Sequence, residues 1–214
     1  MPYNLPAYVR LAEIDGDLVF MDARHNSYTC VTRGASAPVL AALAGETGGS
    51  PVLAELIQAG LLLDDPCGPR WAPLRLAAPR ADFHDPAVAD IAAGPGTWLA
   101  LCAAAFAGWL KSARPRPEAW LKRARRVHRP TSPARVASLA LQFDALRPFL
   151  PASGGCLPSS IMLLAFLRRH GIEAEWVFGV RTFPFDAHCW VEHEGVVLND
   201  VLEHVAWFTP IAAC

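Results

Sequence analysis

The patterning of the chain switches from helical to β spacing late in its length, and that switch constrains the fold more than any other feature. From Gly154-Gly155-Cys156-Leu157-Pro158 an apolar stretch runs over 159–170 at helical spacing and stops at Gly171. Three β-rich runs follow at 173–181, 187–193 and 196–201, whereas 86–93, 97–111, 118–127 and 133–146 read as helices. Strands joined by connections this short pair antiparallel, and the helices gathered ahead of them must cover the sheet. The expectation is an α+β domain with a helical part, a C-terminal antiparallel sheet, and a cysteine in the first turn of the helix between them.

The first 65 residues have a different texture. Short β runs at 8–12, 18–22 and 27–31 are punctuated by Asp15-Gly16 and His25-Asn26. Helices are expected at 36–44, capped by Ser36 and stopped by Gly45, and at 51–59, between Ser50-Pro51 and Gly60. Charge divides the same way: residues 1–65 sum to −5, 66–149 to +8 and 150–214 to −4. With the proline-rich punctuation after Asp65, this places one unit at 1–66, a linker at 67–85 and a second unit at 86–214. The first unit has no cluster of titratable groups and reads as a binding module.

Several function classes are excluded. A chain that is 53% hydrophobic and 18% charged is not a solvated tail. The uncharged stretch between Asp90 and Lys111 is broken by Gly94-Pro95-Gly96 and is too short beyond it for a bilayer span, so no membrane insertion is expected. The opening residues lack a basic start followed by an apolar run, and the six cysteines form no C-x-x-C pair, which makes a reducing cytoplasmic location the expectation. Residues 111–129 carry eight bases, yet Trp120 alone is no stacking platform and the whole chain sums to −1; no nucleic-acid partner is expected. There is no phosphate-binding G-x-x-x-x-G-K-[ST] loop, and His188 with His193 lacks the cysteine pair of a closed zinc site. Neither a cofactor nor a metal is expected.

Cys156 leaves a two-glycine turn and enters a helix, where unpaired backbone N–H groups and the positive helix end favour a thiolate. Standing alone, it would equally read as a small buried hydrophobe. Downstream, strand alternation sends His188, Trp190 and Glu192 to one face and Cys189 and Val191 to the other. A three-residue loop at 193–195 would set Glu192 opposite Val196 and His188 opposite Asp200, with Cβ atoms about 5 Å apart. A two-residue turn at Glu194-Gly195 would instead set Asp200 against Cys189. In the first register Cys156, His188 and Asp200 supply a nucleophile, its base and the group that orients the base.

A helix-borne cysteine followed by a histidine on one strand and an aspartate on the next resembles the transglutaminase and papain-like core. More closely, G-G-C-L-P-S-S-I-M-L-L-A-F-L-R-R-H-G-I, V-F-G-V-R, A-H-C-W-V-E and V-L-N-D resemble the leader peptidase (B protein) of lasso-peptide biosynthesis over residues 86–214. G-D-L-V-F-M-D-A-R-H-N-S-Y-T-C-V, followed by two helices, resembles the PqqD-like precursor-recognition element, a small three-stranded, winged-helix-like domain. These resemblances imply a cysteine peptidase with Cys156, His188 and Asp200 as its catalytic residues. They also imply a leader peptide that adds a strand along Ser27, Tyr28, Thr29, Cys30 and Val31, beside an apolar wall of Leu53, Leu56 and Ile57. The substrate would be a ribosomally made precursor peptide. Cleavage at its leader/core junction would free an amine for a partner, an asparagine-synthetase-like lasso cyclase. A non-catalytic leader carrier and a transglutaminase-like acyltransferase are the rival readings. The backbone N–H of Cys156 is one candidate oxyanion donor, and the second is not named by the sequence.

Overall fold

In the computed structural model, residues 3–46, 48–65, 71–83, 96, 99, 102–103, 131–149 and 154–214 are described. The helices expected at 86–93 and 118–127 lie outside these. Of the one expected at 97–111, Leu99, Cys102 and Ala103 are described and are helical.

The chain begins with β1 (Tyr3–Asn4), then forms a three-stranded antiparallel sheet of β2 (Val9–Ile14), β3 (Asp17–Asp22) and β4 (Ser27–Val31), with β3 central. Asp15 and Gly16 both have positive φ, the geometry of a two-residue hairpin turn that matches strand twist. Helix α1 (Arg33–Ala44) starts earlier than its serine suggests: Thr32 is the N-cap, while Ser36 is buried inside the helix and donates its hydroxyl hydrogen to the Arg33 carbonyl. Gly45 ends it in the left-handed conformation. Helix α2 (Pro51–Gln58) follows, and β5 (Leu63–Asp64) returns to pair with β1.

Both faces of this small sheet are covered, which is why all of β3 is buried. Leu18 and Phe20 pack with Val9, Leu11, Val31, Val39, Leu43, Leu53 and Leu56 in a core beneath α1 and α2. Val19 and Met21, with Ala12 and Ala23, point the other way, into a second core that also holds Phe143, Met162, Phe178 and Ile211. Strand alternation thus turns one hairpin into the partition between two hydrophobic cores.

The larger sheet runs β10-β7-β8-β9-β6 among the described residues. Its strands are β6 (Ala81–Asp82), β7 (Glu175–Arg181), β8 (Asp186–His193), β9 (Val196–Val197) and β10 (Thr209–Ala213). Strand β6 lies within the stretch expected to be linker, pairs parallel with β9, and leads into the buried Phe83. Helix α3 (Pro133–Leu146) and helix α4 (Cys156–Arg169) pack on one face, with α4 against β8. A short helix, α5 (Leu202–Val205), precedes β10. Strand β10, absent from the sequence expectation, closes the edge of β7 and brings the second sheet against β2.

The β8–β9 connection is the two-residue turn. Glu192 pairs with Val197 and His193 with Val196, while Glu194 and Gly195 both take positive φ. The expected register, Glu192 with Val196 and His188 directly across from Asp200, is therefore wrong. Regular pairing also ends at Val197: after the Leu198 N–H bonds the Val191 carbonyl, the Asn199 side chain, not a backbone carbonyl, accepts the Val191 N–H at 2.8 Å. The chain bends away over 198–200. That bend, and not the ladder, carries Asp200 to His188.

Candidate active site

Cys156 is the first residue of α4. Its predecessor Gly155 is the N-cap at φ 91, a left-handed conformation that disfavours any side chain and leaves no side-chain cap over the first N–H groups. The thiol is half-buried and lies beside Cys189 and His188 of β8. Its pKa falls to about 4, first because Cys189 hydrogen-bonds the sulfur and then, against the opposing effect of burial, because His188 bonds it and lends its charge. Cys189, buried against Ser160, moves the opposite way and keeps its proton. Of the two thiols the charge belongs on Cys156, the one with a helix N-terminus and an imidazolium beside it.

His188 answers from the other side. Burial alone would lower its pKa, but hydrogen bonds to Asp200 and Cys156, with their negative charges, outweigh it and raise the value to about 9. Its Nε2–H donates to Asp200 Oδ2, which leaves Nδ1 for the sulfur. Asp200 is also pushed up by burial, yet the bonds from His188, His204 and the Val201 N–H hold it below the ordinary carboxylate range. The ring of His188 is boxed by Trp190 at 6.0 Å, His204 at 4.8 Å and Phe208 at 5.2 Å between centroids. Between about pH 4 and pH 9 these groups stand as thiolate, imidazolium and carboxylate.

A thiolate beside an imidazolium can attack a carbonyl and return a proton to whatever leaves. A family model described as the transglutaminase-like superfamily matches residues 98–213. The chain belongs to the transglutaminase-like superfamily. The microcin J25-processing protein McjB of Escherichia coli is 49% identical over 45 residues, 21% of this chain and 22% of that protein. The match spans about a fifth of that relative's length. No solved structure matches.

Within this transglutaminase-like chain, sequence reasoning brought Cys156, His188 and Asp200 to one place but missed three neighbours. His204 donates from Nδ1 to Asp200, at 3.0 Å to Oδ1 and 2.9 Å to Oδ2, so the carboxylate is clasped by two imidazoles. The spacing Asp200 to His204 is one turn of a helix, a signal that was legible had α5 been foreseen. Cys189 was set on the face away from His188, which holds, yet the helix end reaches both residues. Ser160, fully buried, accepts from Asn199 Nδ2 at 3.0 Å and ties α4 to the bend that delivers Asp200. Trp207 is 61% exposed beside Arg181 and His204.

Ligand atoms of His188, Asp200 and His204 lie within 4.8 Å of one another and could hold a metal ion. This group, at which the sequence raises no expectation of a metal, does not include His193, and it uses the imidazole and carboxylate beside the thiol.

Of the positions tied to a leader peptide, Ser27, Thr29 and Cys30 are exposed, Tyr28 is half-buried and Val31 is core. The outer edge of β4 is paired to no strand among the described residues. Leu53 and Leu56 are core, at 2% and 4% exposure, and cannot form an open wall; Ile57, at 37%, has side-chain surface to offer. Among the described residues, no helix is long and apolar enough to cross a membrane.

Proposed function

We propose that this protein is a cysteine peptidase that cleaves a ribosomally made, lasso-type precursor at its leader/core junction. The observation that carries the reading is the Cys156 thiolate beside an imidazolium whose far nitrogen is held by Asp200. Cys156 Sγ attacks the junction carbonyl. His188 gives its proton to the departing core amine, and the leader remains as a thioester on the cysteine. Water, deprotonated by the now neutral His188, releases the leader acid, while Asp200 keeps the imidazole aligned throughout. No cofactor enters these steps. The freed amine is what a partner cyclase of asparagine-synthetase type requires, and the similarity to a microcin-processing protein supports that placement.

The 1–66 unit is the leader-binding element, of PqqD-like type. The unpaired edge of β4 offers backbone N–H and C=O groups to an added strand, and Ile57 on α2 offers apolar surface. The superfamily match fits acyl transfer to water or to an amine. The bond attacked and the fate of the thioester distinguish the readings.

The purified chain is mixed with synthetic precursor peptide and the products are weighed by mass spectrometry. Hydrolysis gives two free peptides whose masses sum to that of the precursor plus one water. An amine acyltransferase gives a cross-linked product instead, and a carrier gives no new species. Cys156→Ala abolishes cleavage and retains leader affinity. Cleavage that survives this substitution overturns the proposal.

A further inference from the structure

Tyr28 sits on β4 in the small N-terminal sheet, 128 positions before the candidate nucleophile. Its partner across the ladder is Met21, whose side chain belongs to the core shared with α4 and β8, so Tyr28 points to the same side. There the ring packs against the same buried cluster that Cys156 and Leu157 pack on, and against Phe185 at 5.6 Å between centroids, in the β7–β8 connection. The hydroxyl lies within electrostatic reach of both Cys156 and Cys189. It hydrogen-bonds to none of the described residues. The phenol is half-buried on the same side as Cys156 and has an O–H left to give to a ligand.

We infer that the Tyr28 hydroxyl is a catalytic donor, supplied by the recognition sheet, that holds the scissile carbonyl oxygen as it becomes the oxyanion. The inference rests on acyl-transfer chemistry at Cys156. As the Sγ–C bond forms, the carbonyl π pair moves to oxygen. The Tyr28 O–H donates to that oxygen alongside the Cys156 N–H, then the pair returns, the bond to the leaving group breaks, and His188 supplies a proton where the leaving group is an amine. Burial first, and then the two thiols, raises the Tyr28 pKa to about 12, so the phenol stays a donor across the working range. Strand β4 would then have two duties: its outer edge seats the leader while its inward side chain completes the site. A leader bound elsewhere would not meet the same geometry.

Two reactions of the same sulfur separate this role from a structural one. Alkylation by iodoacetamide needs a thiolate and forms no oxyanion; acylation by 4-nitrophenyl acetate needs both. Tyr28→Phe in the full chain keeps the ring, the packing on Phe185 and the strand. It should leave iodoacetamide reactivity as in the parent, yet slow release of 4-nitrophenolate by about 10²-fold, the cost of one oxyanion donor. Unchanged acylation overturns the inference, and so does an equal loss in both reactions, which marks a role in packing or thiolate formation. Because the ester reaction does not depend on a peptide substrate, a parent protein that acylates but never cleaves a precursor sinks the peptidase reading alone.

Discussion

Gly179 faces His188 across the β7–β8 ladder, and it is the tightest glycine in the protein's described part. An alanine Cβ there would lie 2.7 Å from Phe208 Cβ, 2.7 Å from Trp190 Cζ3 and 2.8 Å from Trp190 Cη2. Reaching ordinary contact requires the neighbours to retreat by about 0.7 Å. Neither yields freely. A Cβ moves only with its backbone, and Trp190 is 2% exposed with its Nε1–H donating to Glu192 Oε1 at 2.6 Å. Overpacking of this kind costs about 1–3 kcal/mol, and a chain of this length loses about 2–4 °C of Tm per kcal/mol, so Gly179→Ala should lower Tm by about 2–12 °C. The same two rings flank His188, and a displaced general acid costs turnover: cleavage should slow by about 10-fold to 100-fold, with leader affinity intact. Thermal melts and cleavage rates on one preparation check both. A variant that melts and cleaves like the parent would refute the claim that this packing sets the imidazole.

Other consequences follow from the charges. The rate of cleavage should rise with pH as Cys156 ionises at about 4 and fall as His188 loses its proton at about 9, because the first step needs the thiolate and the second the imidazolium. Asp200→Asn removes one of the charges that offset burial of His188, so the alkaline limb should move toward lower pH. Cys189→Ala removes the first contribution to the low Cys156 pKa and should shift the acid limb upward, while Cys189→Ser, which keeps a donor, should shift it less. Zinc at the His188, Asp200 and His204 cluster would occupy the imidazole that Cys156 needs; added zinc should inhibit cleavage, a chelator should leave it unchanged, and His204→Ala should weaken the inhibition.

Punctuation made much of this fold legible. Pro133 and Leu146 bound α3 as expected, Ser27–Val31 is β4, and the glycine pair does start a helix at Cys156. Turn chemistry was less decisive. His193-Glu194-Gly195 admits either a three-residue loop or a two-residue turn, and the hairpin closes in two residues with Glu194 at φ 51. The juxtaposition of His188 and Asp200 nevertheless formed, through the Asn199 side-chain oxygen that accepts the Val191 N–H and interrupts the ladder. No strand rule anticipates that. Strand β10 was hidden because Thr209-Pro210 reads as a breaker, and its proline is accommodated at a register shift on the sheet's edge. The placement of Tyr28 beside Cys156 depends on how two sheets pack, which local patterning does not encode.

The account turns on where the negative sulfur is. Brief treatment with iodoacetamide at pH 6, followed by peptide mapping, compares the cysteines directly. Exposed Cys30, whose pKa is raised by burial and by Asp17, is the internal reference, and buried Cys189 is the protonated neighbour. Cys156 should be carbamidomethylated first and almost alone, and His188→Ala should slow that reaction. If at pH 6 Cys156 reacts no faster than Cys30, the ion pair does not exist and the proposed chemistry fails with it.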